Sequence, residues 1–336
     1  MPQTQTVIES VGELFMPPDV DGARAFFRSR SREMSDKRMS VAQAVETFIH
    51  DGDYLAVGGF GSVRIPTAVL HQIVRSGRRG LGFAGHCSTH DFQILVAGRT
   101  INRCDVSYTV GLEMRGLSPN ARRCLQNGEI RTTEWSNAGL GWRYKAAAMG
   151  ISFLPVRVML GTDTQRYSAA KEITCPFTGQ TYLAVPALFP DVAVIHVHQA
   201  DIYGNAQIDG ISIVDIDLAK AAKRLILTTE RLVDTEYFRS HSIRTSIPYW
   251  LVDAVCLTPF GSYPAEMPFE YSSDEDHIAA WIAAEQEPAA LEAFLRRYIY
   301  GTRDFEEYLA LCGGQARLAE LQALEPLKRQ NGEGSA

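Results

Sequence analysis

Between Ser40 and Gly150 short apolar runs alternate with amphipathic segments of helical period. That alternation points to largely parallel strands with helices packed on the faces of their sheet. Ser40 and Gln43 form a capping box, and Val41, Ala44, Val45, Phe48 and Ile49 make one apolar helical face. The turn His50-Asp51-Gly52-Asp53 leads into a strand at 54–58. Pro66 opens a helix that reaches about Arg75, with Gly77 just past its end. A strand at 81–84, a helix at 91–97, a strand at 104–110, a helix at 119–127, a strand at 129–134 and a helix at 138–149 follow, closed by Gly150. Ligands of such sheets bind beyond the carboxyl ends of the strands, where the loops at 58–64, 85–90, 111–116 and 134–137 gather.

The most informative of those loops is Gly58-Gly59-Phe60-Gly61, which closes the apolar run Tyr54-Leu55-Ala56-Val57. Glycines at a strand end permit positive φ and close approach, so their N–H groups are expected to face a ligand. Amides fixed beside a helix N-terminus suit an oxyanion or another anionic group. An ordinary tight βα turn is the plain alternative. A dinucleotide fingerprint fits poorly, because Arg64 stands where a third glycine should pack helix on strand.

The second half loosens this pattern, with strands expected at 181–186, 192–198, 205–208, 224–229 and 252–258. Residues 217–223 supply a helix, and Tyr203-Gly204-Asn205 a hairpin-type turn. From Ser272 the chain turns helical. Residues 1–38, with Pro17-Pro18 and the basic run Arg24, Arg28, Arg30 and Arg32, form an N-terminal extension lying over the domain or along a partner, or else a partly mobile leader. The domain proper spans 39–325, and 326–336 form a disordered tail.

A chain of 336 residues with 46% hydrophobic and 21% charged residues can bury a large core. The net charge of −6, with no basic stretch interleaved with aromatics, argues against nucleic acid as a partner. No apolar run is long enough to span a bilayer. The N-terminus has no apolar signal core, and Glu9, Glu13, Asp19 and Asp21 do not suit a transit peptide. Cys87, Cys104, Cys124, Cys175, Cys256 and Cys312 lie far apart and read as reduced thiols. The expected location is cytoplasmic.

In order along the chain, several blocks resemble those of family I CoA-transferases, in particular A subunits of the glutaconate CoA-transferase type. They include Gly58-Gly59-Phe60-Gly61 with Arg64 and Pro66, Phe153-Leu154-Pro155-Val156 before Gly161-Thr162-Asp163, and Cys175-Pro176-Phe177-Thr178-Gly179. Ala184-Val185-Pro186-Ala187, Asp191–His196, Gly204-Asn205 and the run 217–223 continue the series. Val252-Asp253-Ala254-Val255, Pro259–Pro264, Gly301 and Asp304–Leu309 close it, so the likeness runs from about Met39 to Leu321.

The resemblance implies a CoA-transferase fold and a division of labour. The nucleophilic glutamate of such enzymes lies on a B subunit, in a Ser-Glu-Asn-Gly-like turn that this chain lacks. That B subunit is the implied partner, in heterodimers assembled as α2β2 or higher. Acyl-CoA is a cosubstrate, and no metal or redox cofactor is implied. Gly59, Phe60 and Gly61 take the oxyanion role, with Arg64, His86, Ser88 and His90 as holders of substrate carboxylate or carbonyl oxygens. The acceptor the resemblance implies is a free, dicarboxylic acid. Relatives on the same scaffold instead hydrolyse or decarboxylate CoA thioesters, and in the ring-opening one a glutamate of the A subunit is required. Glu134, before Trp135-Ser136 and the Ala146-Ala147-Ala148 helix, occupies that position. A carboxylate at a strand end, shielded by a tryptophan, is expected to have a raised pKa and to act as a general base. Its plain alternative is pairing with backbone amides or Arg143. Glu113 is a further substrate-binding candidate, with a neighbouring arginine as its plain partner.

Other patterns carry less. His86 and His90 lie four apart, but nothing at suitable spacing completes a tetrahedral metal set. His196 and His198 share a strand face and read as hydrogen-bonded structural histidines. Ser168-Ala169-Ala170-Lys171 matches a serine–lysine acyl-enzyme pattern without its companion motifs. A ligand-sensing or assembly role is the non-enzymatic alternative.

Overall fold

The computed structural model describes residues 8–109, 111 and 115–327. After α1 (Val20–Ser29) and α2 (Val41–Phe48), strands and helices alternate strictly. They are β1 (Tyr54–Val57), α3 (Thr67–Arg75), β2 (Leu81–Gly85), α4 (His90–Ala97), β3 (Ile101–Val106), α5 (Pro119–Gln126), β4 (Arg131–Glu134) and α6 (Asn137–Met149). Next come β5 (Phe153–Val156), α7 (Asp163–Tyr167), β6 (Lys171–Thr174), β7 (Thr181–Pro186), β8 (Val192–Ala200) and β9 (Ala206–Gln207). Then follow α8 (Asp215–Ala221), β10 (Arg224–Leu232), α9 (Thr235–Ser240) and β11 (Ala254–Leu257). Four helices end the chain: α10 (Glu275–Ala284), α11 (Pro288–Leu295), α12 (Phe305–Leu311) and α13 (Gly314–Leu324).

The main sheet has the order β11-β10-β8-β1-β2-β3-β4, all neighbours parallel, with β9 antiparallel on β8. The chain builds outward from β1 to one side, through β2, β3 and β4, and later to the other, through β8, β10 and β11. The strand order therefore reverses between β1 and β8. A crevice opens beyond the carboxyl ends of strands at such a point, because consecutive connections leave in opposite directions.

Side chains alternate across this sheet as the pleat requires. Leu55, Val57, Val194 and Ile226 pack with Val69 and Ile73 of α3 and Phe92 and Leu95 of α4. Tyr54, Ala56, Ile195 and Leu227 pack the other way, with Leu140 and Tyr144 of α6 and Leu218 of α8. Being covered on both faces, β1 and β8 are buried at every residue. That explains why β1 reads as an unbroken apolar run and β8 opens with one, Val192-Ala193-Val194-Ile195, before His196.

Several boundaries depart from expectation, α8 at Asp215–Ala221 rather than 217–223 and β10 running on to Leu232 rather than 229 among them. The third strand covers Ile101–Val106 rather than 104–110, and residue 110 lies outside the described set. The strand after it starts at Arg131, because Gly128-Glu129-Ile130 closes α5 and turns the chain. Pro66 is the residue before α3, and the helix begins at Thr67. A second sheet was not anticipated: β5-β7-β6 is antiparallel and lies against α6. The capping box and the turn at Gly204 stand as expected, and a Cβ at Gly204 (φ +99°) would lie 2.7 Å from Val252.

The described residues before Met39 are strapped to the domain. Val11 and Gly12 donate to the carbonyls of Arg166 and Ser168, and Arg30 pairs with Asp253 at 2.8 Å. Lys37 and Met39 form ladder bonds with Val255, so the outer edge of β11 is covered. No helix among the described residues is long and apolar enough to cross a membrane.

Candidate active site

At the end of β1 the ladder persists for one residue, Gly58 donating to Val194 O at 2.9 Å. A Cβ there would lie 2.4 Å from Asp215 Oδ1. Gly59 follows at φ +89°, where a Cβ would lie 2.6 Å from Val63 O. Only glycine fits either position. Phe60 and Val63 exchange both backbone bonds, at 3.0 and 2.8 Å, and close a tight loop. Gly61 joins that loop to the next one, donating to Cys87 O at 2.8 Å and accepting from Thr89 Oγ1 at 2.6 Å.

One expectation is corrected by these bonds. The amides of Gly59, Phe60 and Gly61 do not face outward to a ligand. Gly59 N–H donates to Asp215 Oδ1 at 2.8 Å, Phe60 N–H to Val63 O and Gly61 N–H to Cys87 O. Gly58, Gly59 and Gly61 are buried, and buried N–H groups without water must find acceptors in the chain. Asp215, at the start of α8, supplies one of them.

Arg64 is likewise turned inward. It is fully buried at φ +56°, and its Nη2 donates to Asp215 Oδ2 at 2.7 Å and to Ile211 O at 2.6 Å. Rather than meeting a substrate carboxylate, its guanidinium holds a carboxylate of the protein. Nε and Nη1 are buried without hydrogen-bond partners among the described residues.

The loop after β2 carries His86, Ser88 and His90, and Ser88 bridges to Gly61. This places His86 and Ser88 against the glycine turn. The His86 ring lies 5.6 Å from that of Phe60; burial pushes its pKa down, and its buried Nδ1 has no hydrogen-bond partner among the described residues. Ser88 lies beside Asp91, whose carboxyl is pushed up to about 6 by burial while accepting Thr89 N–H at 2.7 Å. His90 is the first residue of α4 and points away into the helical layer. It packs edge-on to Trp281 at 4.9 Å, and burial pushes it down to about 3. The space beside it is about 20 Å³, room for one water.

Glu134 ends β4, three strand spacings from β1, or roughly 14 Å at about 4.8 Å per strand. The structure does not bring it to the glycine turn. Its carboxyl is exposed, and partial burial followed by Asp163 raises its pKa. Trp135 does not shield it, being turned inward to donate to Asp105 Oδ1 at 2.6 Å. Arg143 does not pair with it either. That side chain is fully buried 2.5 Å from Asp105. Glu113 lies outside the described residues.

His196 has the structural role expected of it: Nδ1 meets Thr228 at 2.8 Å and Nε2 meets Glu230 at 2.7 Å. Glu230 also accepts from Tyr271 O–H and Phe260 N–H, both at 2.7 Å. His198 accepts Asp209 N–H on Nδ1 and meets Pro268 O through Nε2. Ser168 is buried and donates to Gln165 O, while Lys171 is exposed, so they form no dyad. Among the described residues no three potential metal ligands converge. Sequence reasoning missed Asp215 and Glu230. The signal for Asp215 is a charge between Val214 and Ile216, where an amphipathic helix begins.

The comparisons with known proteins agree with this architecture. The coenzyme A transferase family matches residues 38–258. An uncharacterized protein of Archaeoglobus fulgidus is 48% identical over 96% of this chain and 72% of its own length. The A subunit of 3-oxoadipate CoA-transferase from Pseudomonas knackmussii is 34% identical over 84% of this chain and 98% of its own. The crystal structure of glutaconate coenzyme A-transferase from Acidaminococcus fermentans superposes with a TM-score of 0.83 at 28% identity, covering 88% of this chain and 98% of that one. With the family model matched over residues 38–258 and the fold shared over 88% of the chain, this chain belongs to the coenzyme A transferase family.

Proposed function

We propose that the chain is the A subunit of a heteromeric, cytoplasmic CoA-transferase that moves CoA from an acyl-CoA to a free dicarboxylic acid. The observation that carries this reading is the glycine turn at the switch point, held against the His86 loop through Gly61. There the half-buried Phe60 meets His86, whose Nδ1 has no hydrogen-bond partner among the described residues and is the group offered to a thioester carbonyl entering beyond the carboxyl ends of the strands. The inward-facing amides of Gly59, Phe60 and Gly61 give the turn its shape, and His86 is the nearer candidate for an oxyanion donor.

In this reading the thioester carbonyl is attacked by a glutamate of the B subunit, which expels CoA thiolate. The thiolate then attacks the resulting glutamyl anhydride, releasing the first acid and leaving a glutamyl-CoA thioester. The acceptor carboxylate reverses both steps. The scheme uses no metal or redox cofactor. Borohydride reduction of the complex after incubation with acyl-CoA tests it. The expected result is a modified glutamate on the partner chain. A partner with no reactive glutamate defeats the reading.

A second reading, CoA-thioester hydrolysis or decarboxylation on the same scaffold, is favoured by one observation. Glu134 sits at a strand's carboxyl end with its pKa displaced upward, as a general base requires.

A further inference from the structure

The side of the sheet remote from the glycine turn carries a second cavity, of about 610 Å³. Arg79 stands just before β2, Arg99 just before β3, and both line it, so it opens at the amino ends of the strands. Arg123 of α5 lines it as well, with Leu295 of α11 and Tyr300 at the end of the following π-helical turn. Its volume falls within the range of small-molecule sites.

The three arginines lack ionic partners. Among the described residues no carboxylate lies within 4.0 Å of the guanidinium of Arg79, Arg99 or Arg123, whereas those of Arg64, Arg115 and Arg317 each have at least one. Neutral acceptors hold two of them from one side: Gly98 O takes Arg79 Nη1 at 3.0 Å, and Asn120 Oδ1 takes Arg123 Nη2 at 2.8 Å. Arg99 has a backbone peculiarity besides. It lies at φ +53°, at the C′ position of α4, where glycine is the usual residue. An arginine held at a strained position is a reason to look for a ligand.

Two carboxylates also line the cavity. Glu292 is paired with Arg296 at 2.5 Å, which leaves Glu129 as the uncompensated one. A bare polyanion would meet repulsion from Glu129, but a ligand with hydroxyl donors beside its anionic group would not. Guanidiniums match phosphate oxygens in bidentate geometry. The half-exposed Tyr300 ring and the aliphatic wall suit a flat base.

We propose that this cavity binds a nucleoside phosphate, its phosphates on Arg79, Arg99 and Arg123, its base against Tyr300 and its ribose hydroxyls toward Glu129. The site is separate from the acyl-CoA chemistry at the opposite ends of the strands and does not depend on it.

Calorimetric titration of the full chain, in complex with its partner, uses ADP, adenosine and pyrophosphate as probes. ADP is expected to bind more tightly than either fragment, and to do so with acyl-CoA saturating. Arg99→Gly and Arg123→Ala are each expected to weaken ADP at least tenfold, or about 1.4 kcal/mol, without changing the rate of CoA transfer. Because glycine suits φ +53°, Arg99→Gly is expected to keep or raise the melting temperature, so its loss of ADP cannot come from misfolding. ADP binding that acyl-CoA displaces, that pyrophosphate equals, or that both variants retain would overturn the proposal.

Discussion

Arg64 and Asp215 form a fully buried ion pair, 2.7 Å between Nη2 and Oδ2, and the other oxygen of Asp215 takes the N–H of Gly59. One carboxylate thus fixes both the glycine turn and the arginine that follows it. Truncating it strands a guanidinium and an amide in the interior. Asp215→Ala is expected to cost about 3–5 kcal/mol of stability, read as a lower midpoint in urea. The double variant Arg64→Met, Asp215→Leu should recover much of that loss, because an apolar pair leaves no charge unpaired. A single variant within about 1 kcal/mol of wild type would mean the pair is not closed as described.

The two positive-φ glycines of the turn should respond unequally to alanine. At Gly59 the Cβ meets Val63 O at 2.6 Å, so backbone must move; at Gly61, φ +60°, nothing lies within 4 Å. Gly61→Ala is expected to cost about 1 kcal/mol, the left-handed penalty alone. Gly59→Ala should cost at least twice that and abolish CoA transfer as the loop shifts. Denaturation midpoints and steady-state rates measured on both variants check the order, and equal losses would contradict it.

Much of this architecture was legible in the sequence, for a definite reason. A strand covered on both faces tends to read as an apolar run, and β1 and the first half of β8 do. The second sheet was not legible, because Phe153 and Pro155 of β5 and Lys171 and Glu172 of β6 are exposed and mixed in polarity. The site divided along the same line. Local rules located the glycine turn and the loop from His86 to His90. They could not tell that Asp215, more than 150 residues away, takes the amide that looked free. Nor could they show that Trp135 turns to Asp105 and leaves Glu134 exposed. Those choices belong to packing between distant segments.

Buried histidines should make the fold acid-sensitive. His90 is pushed down to about 3, His198 and His277 to about 4, and His71 well below its usual value, each first by burial. As pH falls from 6.5 towards 4, the unfolded chain takes up protons that these folded rings refuse. Stability then drops by about 1.4 kcal/mol per pH unit for each proton. Asp91 and Glu285 act oppositely. Burial raises them to about 6 and about 7, so their contribution is present at low pH and lost as pH rises through those values. His86 adds to the histidines, and Glu134 and Glu266, also raised first by burial, add to the carboxyls; the histidines outweigh them, and the melting temperature is expected to fall between pH 6.5 and 5. His71 packs on Phe305 and Tyr308 in the seam between α3 and α12. His71→Leu should flatten the slope, and a profile unchanged by it would remove that ring from the account.

The reaction class turns on Glu134. A general base contributes roughly 10²–10⁴-fold to a rate, and its amide cannot take the proton. In the transferase reading Glu134 is an exposed group three strands from the glycine turn, and Glu134→Gln should leave CoA transfer within about twofold of wild type. In the hydrolase reading the same change removes the base and turnover falls by two orders of magnitude or more. The carboxyl is exposed and, among the described residues, makes no ion pair, so the variant should fold normally and its melting temperature should not move. Rates of transfer to a dicarboxylic acid and of hydrolysis, both measured on the assembled complex, then separate the two. A large loss confined to hydrolysis, with transfer absent in the wild type, would assign the chain to the hydrolases.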